Sequence, residues 1–468
     1  MPKVGSESTP LRVAIIGAGP AGFYTAERLF KEKDLTVEID MYDRLPTPYG
    51  LVRAGVAPDH QKIKSVTKVF DRVAARPGFC FFGHVELGKD VSVADLRQHY
   101  HQIVYSTGAQ TDRNLAIPGI DLRGSHAATE FVAWYNGHPD YRNCHFDLSQ
   151  ESVAVIGVGN VAVDVARILC RTPQELAQTD IADYALEALR HSRVKRVYML
   201  GRRGLAQAAF TAPEVKELGE LADADAIVLP EEVELDELSR EALADSADRG
   251  TMRKVELVQE FARRPPSDKS RQLILRFLVS PVELIGDKEG QVKAMRLVKN
   301  ELYKTQAGTL RSRPGAEYET LPVGLVFRSI GYQGVPLPGV PFNDKWGVIF
   351  NEAGRVVDSR TRQPVTGEYV AGWIKRGPTG VIGTNKPDAA ETVEAMLADL
   401  EKEAILQPPY PAAAAAANMV CQKQPGYFSY ADWLRLDELE CARGDSEGRP
   451  RVKFTTIEEM IAAVKDEG

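Results

Sequence analysis

Short apolar runs punctuate the chain, and two of them lead into the same glycine pattern. Val13-Ala14-Ile15-Ile16 and Val153-Ala154-Val155-Ile156 contain no polar residue, which predicts strands buried on both faces of a parallel sheet. Gly17-Ala18-Gly19-Pro20-Ala21-Gly22 follows the first run and Gly157-Val158-Gly159-Asn160-Val161-Ala162 the second. A further strand pattern comes after each: Val37-Glu38-Ile39-Asp40-Met41-Tyr42 and Val194-Lys195-Arg196-Val197-Tyr198-Met199-Leu200. Val104-Tyr105-Ser106-Thr107-Gly108 and Leu325-Val326-Phe327-Arg328-Ser329-Ile330-Gly331 read as matching strands that end in small residues, where a backbone passes close to a ligand. Leu45-Pro46-Thr47-Pro48-Tyr49-Gly50 cannot be helix interior. The alternation predicts the α/β class, and the two fingerprints are the only repeat.

Each fingerprint has a physical reading. Gly17 supplies the sharp turn from strand to helix, Gly19 lets the backbone approach a pyrophosphate, and Gly22 lets the helix pack close on the strand. The open N–H groups and positive dipole end of the helix stabilise phosphate charge. The following strand ends at Asp43, whose carboxylate can accept the ribose hydroxyls of a dinucleotide. In the second unit Ala162 replaces the third glycine, which the pattern permits. Its strand ends at Arg202 and Arg203 instead of an acid. A guanidinium pair there favours the 2′-phosphate of NADP. Thr172–His191 reads as an inserted helical excursion that lengthens this unit. Two dinucleotides told apart by the charge at the ribose is the layout of a two-dinucleotide flavoenzyme.

The fold class expected is α/β, with two Rossmann-like three-layer dinucleotide-binding domains and the NADP domain inserted in the FAD domain. Ile117-Pro118-Gly119 reads as the crossing, which gives an FAD-binding part over 1–115 and an NADP-binding domain over 116–331. The FAD-binding domain resumes over 332–405, and 406–468 reads as linker and C-terminal tail, with Ala412–Ala417 as a spacer. The acidic stretch Glu231–Glu241 reads as a solvated helix face.

Composition narrows the function. The chain has 468 residues, 44% hydrophobic and 26% charged, as ordinary globular proteins do. A net charge of −7 argues against general nucleic-acid binding, and no apolar run reaches the roughly 20 residues of a membrane span. Met1–Pro10 reads as neither signal peptide nor targeting helix, and five scattered cysteines fit a reducing cytoplasm. No CxxC occurs, which removes the dithiol-disulfide reductases among two-dinucleotide flavoenzymes. No metal site is expected.

Two longer segments carry a resemblance. Leu45–His60, containing Leu51-Val52-Arg53-Ala54-Gly55-Val56-Ala57-Pro58-Asp59-His60, and Gly372-Trp373-Ile374-Lys375-Arg376-Gly377-Pro378-Thr379-Gly380-Val381-Ile382-Gly383-Thr384-Asn385 resemble the adrenodoxin reductase-type ferredoxin–NADP reductases, a glutathione reductase-like fold. The resemblance covers nearly the whole chain and weakens in the first ten residues and after about Glu403. It implies an oxidoreductase, a cytoplasmic flavoprotein of electron transport, that takes electrons from NADPH through FAD to an iron–sulfur ferredoxin. Cytochromes P450 are a candidate destination downstream.

The resemblance also implies site residues. FAD is expected at Gly17, Gly19, Ala21, Gly22, Asp43, Leu51, Leu87, Trp373, Gly380, Val381 and Ile382. NADP(H) is expected at Gly159, Asn160, Val161, Ala162, Arg202 and Arg203, with Arg113 and Glu214 as lesser contacts. His60 and Glu217 occupy the positions of a proton network beside the flavin. Read from the residues alone, a Gly-rich loop after Tyr369–Trp373 runs into a helix opened by Thr384 or Asn385, with Pro387 in its first turn. Its N–H groups can stabilise negative charge on a flavin ring. For an acidic ferredoxin, Arg263, Arg264, Lys269 and Arg271 form one candidate basic face, and Lys62, Lys64 and Lys68 a second. Two other readings stay open: the same fold with another acceptor (a quinone, a dye or an amidotransferase partner), and a dinucleotide-binding protein without turnover.

Overall fold

Leu11–Ile16 is a strand with every residue buried, including Arg12. The cation is tolerated there because its guanidinium bonds Glu38 at 2.8 Å and also Asp40, whose carboxylate accepts the Tyr100 hydroxyl at 2.7 Å. This strand lies near the middle of a seven-stranded sheet. The order is Asn351–Glu352, Arg355–Val357, Pro364–Val370, Gln102–Tyr105, Leu11–Ile16, Val37–Tyr42 and Phe79–Phe82. The five strands from Pro364–Val370 onward run parallel, as uninterrupted apolar strands joined by crossovers do. Chain order reverses on either side of Leu11–Ile16, so a crevice forms at its C-terminal end, where the first fingerprint sits.

The computed structural model describes residues 3–246, 248–265 and 267–465. Within them the chain divides into two compact units. One takes Met1–Val56, His60–Thr111 and Gly331–Gly468, and the other Ala57–Asp59 and Asp112–Ile330. The second unit has a six-stranded, all-parallel sheet: Ser125–Ala127, Leu325–Arg328, Ser152–Ile156, Arg196–Gly201, Arg271–Phe277 and Ala224–Val228. Its reversal falls at Ser152–Ile156, directly before the second fingerprint. A three-stranded antiparallel sheet, Val279–Gly286, Val292–Lys304 and Leu310–Leu321, belongs to the same unit. The excursion near Thr172 is two helices, Pro173–Leu176 and Asp183–Arg190.

The structure corrects two expectations. Residues 406–468 are not a linker and tail. Ala413–Lys423, Tyr430–Glu447 and Ile457–Lys465 are helices of the first unit. Trp433, Leu436, Phe454, Met460 and Val464 are buried in one cluster with Val13 and Phe23. Alanine has the best helix propensity, and burial of Ala416 and Val420 supplies the tertiary support that an isolated alanine run lacks. Nor is Glu231–Glu241 wholly solvated. Glu232 is nearly buried, bonding Arg276 Nε at 2.7 Å and the Phe277 N–H at 2.7 Å.

Candidate dinucleotide sites

In the first unit, three segments far apart in sequence meet at the crevice. Gly17 has φ +106°, and a Cβ on it would lie 2.7 Å from the Ser106 carbonyl oxygen. A Cβ on Gly22 would lie 2.3 Å from the Gly17 oxygen, so helix and strand pack as closely as expected. Gly19 differs: nothing lies within 4 Å of its would-be Cβ. The open side of the turn is therefore where a pyrophosphate can approach. The helix Pro20–Leu29 starts here with no side-chain cap. Its first N–H groups are available to an anion.

The loop after Asp43 closes onto this turn. The Tyr49 N–H donates to the Ala18 oxygen at 2.7 Å, and a Cβ on Gly50 would be 3.1 Å from Gly19 Cα. The Asp43 carboxylate accepts the Ala18 N–H at 2.9 Å and the Leu45 N–H at 3.0 Å. Burial raises the Asp43 pKa, opposed by those two N–H bonds and the nearby Arg44 charge. Asp43 thus ties fingerprint to loop and keeps further lone pairs for ribose hydroxyls. The third segment arrives at Gly372, φ +81°, where a Cβ would lie 2.5 Å from that of Ala21. Trp373 stays half-buried, its Nε1 donating to the Thr379 oxygen at 3.2 Å and its ring 5.9 Å from that of Tyr332. Gly380 and Val381 are exposed and Ile382 half-buried. The helix Asn385–Glu401 has Thr384 at its N-cap and no side-chain cap, and its first N–H, on Asn385, donates back to the Ile382 and Gly383 oxygens of the preceding turn. Leu51 is half-buried, and Leu87 is buried in the core.

A family model described as pyridine nucleotide-disulphide oxidoreductase matches residues 11–201. The NADPH-ferredoxin reductase FprA of Mycobacterium tuberculosis is 44% identical over 97% of this chain and 98% of its own. The mitochondrial NADPH:adrenodoxin oxidoreductase of Homo sapiens is 41% identical over 97% of this chain and 92% of its own. The chain belongs to the adrenodoxin reductase-type ferredoxin–NADP reductases. A structure of Mycobacterium tuberculosis FprA in complex with NADPH superposes with a TM-score of 0.91 at 43% identity, over 97% of this chain and 99% of that one.

The second unit of this ferredoxin–NADP reductase repeats the geometry of the first. Gly157 has φ +136°, and its would-be Cβ lies 2.2 Å from the Ser329 oxygen, as Gly17 meets Ser106. Gly159 is open like Gly19, with only the Ala209 Cβ at 4.0 Å. The helix Asn160–Cys170 begins there without a side-chain cap, and Ala162 is fully buried, so the third position has room for a methyl group. Asn160 Oδ1 accepts the Thr211 N–H at 3.0 Å. Val161 is half-buried beside the core.

Arg202 is exposed and Arg203 half-buried, and neither has an acidic partner among the described residues. Their backbones are fixed: Asn300 Nδ2 donates to the Arg202 oxygen at 2.8 Å and the Leu278 N–H to the Arg203 oxygen at 3.1 Å. Burial, and then the charge on Arg202, lower the Arg203 pKa. A cation pair held together in this way suits a phosphate. Arg113 is exposed in this unit.

Arg167 is a feature that sequence reasoning missed. It is fully buried and meets Asp59 at 2.7 Å, Asp164 at 2.7 Å, Glu217 at 3.2 Å and Glu214 at 3.8 Å. Burial works to lower its pKa, but Asp164, Asp59 and Glu217 outweigh it and raise the pKa. Glu214 and Glu217 therefore both face one buried cation, Glu217 more closely. His60 belongs to the first unit and caps the short helix Gln61–Lys64, its oxygen accepting the Ile63 N–H at 3.0 Å. A Ser-x-Gly at the end of each matching strand was the signal that could have found Ser106 and Ser329. Nothing in the local pattern marks Arg167.

Parts of both basic faces are spent internally. Arg271 is largely buried, donating to the Val194 oxygen, and Lys269 Nζ donates to the Leu221 oxygen at 2.7 Å. Lys64 is buried. Arg263, Arg264, Lys62 and Lys68 remain exposed, and Pro266 in the same run lies outside the described residues. The described cysteines are free, and no described helix is long and apolar enough to cross a membrane.

Proposed function

We propose that this protein is an FAD-dependent NADPH–ferredoxin oxidoreductase with FAD on the first unit and NADP(H) on the second. One observation carries the assignment. Two glycine turns of the same pattern, both open at the middle glycine, are followed by opposite charges: Asp43 in the first unit, Arg202 and Arg203 in the second. The residues fit both groups, since each cradle would be filled by a Cβ at Gly19 or Gly159. Bound FAD supplies the conversion between two-electron chemistry with NADPH and one-electron chemistry with an iron–sulfur protein. The chain's own part is positional. Helix starts at Pro20 and Asn160 hold the pyrophosphates, Asp43 orients one ribose, and Arg202 with Arg203 selects the phosphorylated one. Glu214 accepts an N–H of the nicotinamide carboxamide, His60 carries protons on its imidazole nitrogens, and Glu217 carries them on its carboxylate.

The acceptor is an acidic ferredoxin that docks on the exposed cations Arg263 and Arg264, and its electrons pass on to cytochromes P450. The cytoplasm suits the free, unpaired cysteines. Anaerobic titration of the yellow protein with NADPH, followed by addition of a ferredoxin, tests donor, cofactor and acceptor together. Bleaching by NADPH and recovery of colour with reduction of the ferredoxin support the reading. A protein whose colour NADPH leaves unchanged overturns it.

A further inference from the structure

The C-terminal segment that reads as a tail is built into the loop beside the FAD fingerprint. That loop is strained: Tyr49, which carries a side chain, has φ +82°, and Gly50 has φ +49°. Backbone in this region persists only where its surroundings over-determine it. Here the helix Tyr430–Glu447 does so. Tyr430 Oη lies 3.0 Å from Tyr49 Oη, and both hydroxyls bond Asp71. Trp433 Nε1 donates to Tyr49 Oη at 3.3 Å, and the two rings meet edge-on at 5.6 Å.

Three residues past Gly50, Arg53 is fixed from the same helix. Its guanidinium donates to both oxygens of Glu440, at 2.8 and 2.5 Å, and stacks over Trp433 at 5.2 Å. The Glu440 side chain is fully buried and also accepts the Phe454 N–H at 3.0 Å and faces Arg451 at 3.2 Å. The Arg53 oxygen in turn accepts Lys453 Nζ at 3.3 Å. Arg53 and its neighbours hold the Glu440 pKa down despite burial. A bidentate, desolvated Arg–carboxylate pair fixes direction as well as distance. Between these anchors lie Gly50 against Gly19, and Leu51.

We propose that Glu440 is a positioning residue for FAD: through Arg53 the C-terminal helix holds the Tyr49–Arg53 turn against the fingerprint, and so sets flavin affinity. The proposal rests on the FAD assignment above. The test removes one charge, Glu440→Gln, and compares it with Asp399→Asn. Asp399 pairs with Arg355 at 2.7 Å in the same unit but lies near the far end of the helix Asn385–Glu401, away from the turn. The measurements are the dissociation constant for FAD, by flavin fluorescence on titrating each apoprotein, the visible spectrum of each holoprotein, and the Tm of each apoprotein.

Glu440→Gln should weaken FAD binding at least tenfold and shift the fine structure of the flavin band. Asp399→Asn should lower Tm with FAD affinity within twofold of wild type. Equal changes in FAD affinity for the two variants, or none for Glu440→Gln, overturn the proposal. Should Glu440→Gln not fold, Trp433→Phe serves: it loses the bond to Tyr49 and weakens the stack on Arg53, and a rise of about threefold in the FAD dissociation constant is expected, with no rise overturning the proposal. Wild-type apoprotein that takes up no FAD would instead sink the cofactor assignment, and the positioning role with it.

Discussion

Replacing Arg202 and Arg203 with glutamine, singly and together, separates a phosphate site from a structural pair of cations. A charge-assisted contact to phosphate contributes about 1.5–3 kcal/mol. Arg202 is exposed, so the lower end applies, roughly a tenfold loss in kcat/KM with NADPH. Arg203 is half-buried, so the upper end applies, roughly a hundredfold. The residues adjoin, and the double variant should lose less than the product of the two factors. NADH lacks the phosphate and should be used equally well by all four proteins. Stability supplies the second arm. Arg203 is destabilised by burial and by Arg202, with no acidic partner among the described residues, so its loss relieves repulsion. Tm of the NADP-free protein should stay level or rise. The assay is reduction of a small neutral dye, which needs no docking face. Equal losses with both coenzymes, or a fall of several degrees in Tm, would refute the reasoning.

Gly19→Ala should leave the apoprotein about as stable as wild type, because its methyl meets nothing, yet weaken FAD binding at least tenfold; Gly22→Ala, whose methyl would lie 2.3 Å from a backbone oxygen, should cost roughly 1–3 kcal/mol in apoprotein stability by urea unfolding. Similar behaviour of the two would show that Gly19 is merely structural. His60→Gln should slow dye reduction and alter its pH profile while FAD stays bound, and wild-type rates across about pH 5 to 9 would return His60 to a packing role. Buried His101 accepts the Arg12 N–H at 3.0 Å on Nδ1, and burial, with Arg12 beside it, lowers its pKa to about 4. Its folded pKa is below the unfolded one, so its contribution is full above about pH 6.5 and is lost as pH falls toward 4, on the order of 2–3 kcal/mol. Urea unfolding of His101→Gln should show a flatter slope in that window, and an unchanged slope would rule the histidine out.

How much was legible depended on the range of the interaction involved. Each glycine fingerprint is local: a strand, a turn and a helix within about 25 residues obey steric rules that neighbours in sequence fix by themselves. That is why Gly17, Gly19 and Gly22 could be assigned distinct duties and why the structure gives each the space its duty requires. The change from Asp43 to Arg202 and Arg203 was equally plain, since each lies at the end of the next strand after its fingerprint, even though the excursion near Thr172 lengthens the second unit. The tail was misread because its evidence is not local. Ala413–Ala417 has helix propensity, but burial decides whether such a run docks, and its partners lie hundreds of residues away.

What the sequence by itself determined was therefore the pair of nucleotide-binding turns and the charge that follows each. Only the tertiary structure decided which distant segments close on them: Ser106 over Gly17, Gly50 against Gly19, Gly372 against Ala21, and Glu440 on Arg53. It also decided that one buried cation, Arg167, gathers Asp59, Asp164, Glu214 and Glu217. The physical reason is desolvation. A charge pattern along a chain says nothing of which charges lose water, and a buried carboxylate or guanidinium is stable only where folding brings its counter-charge.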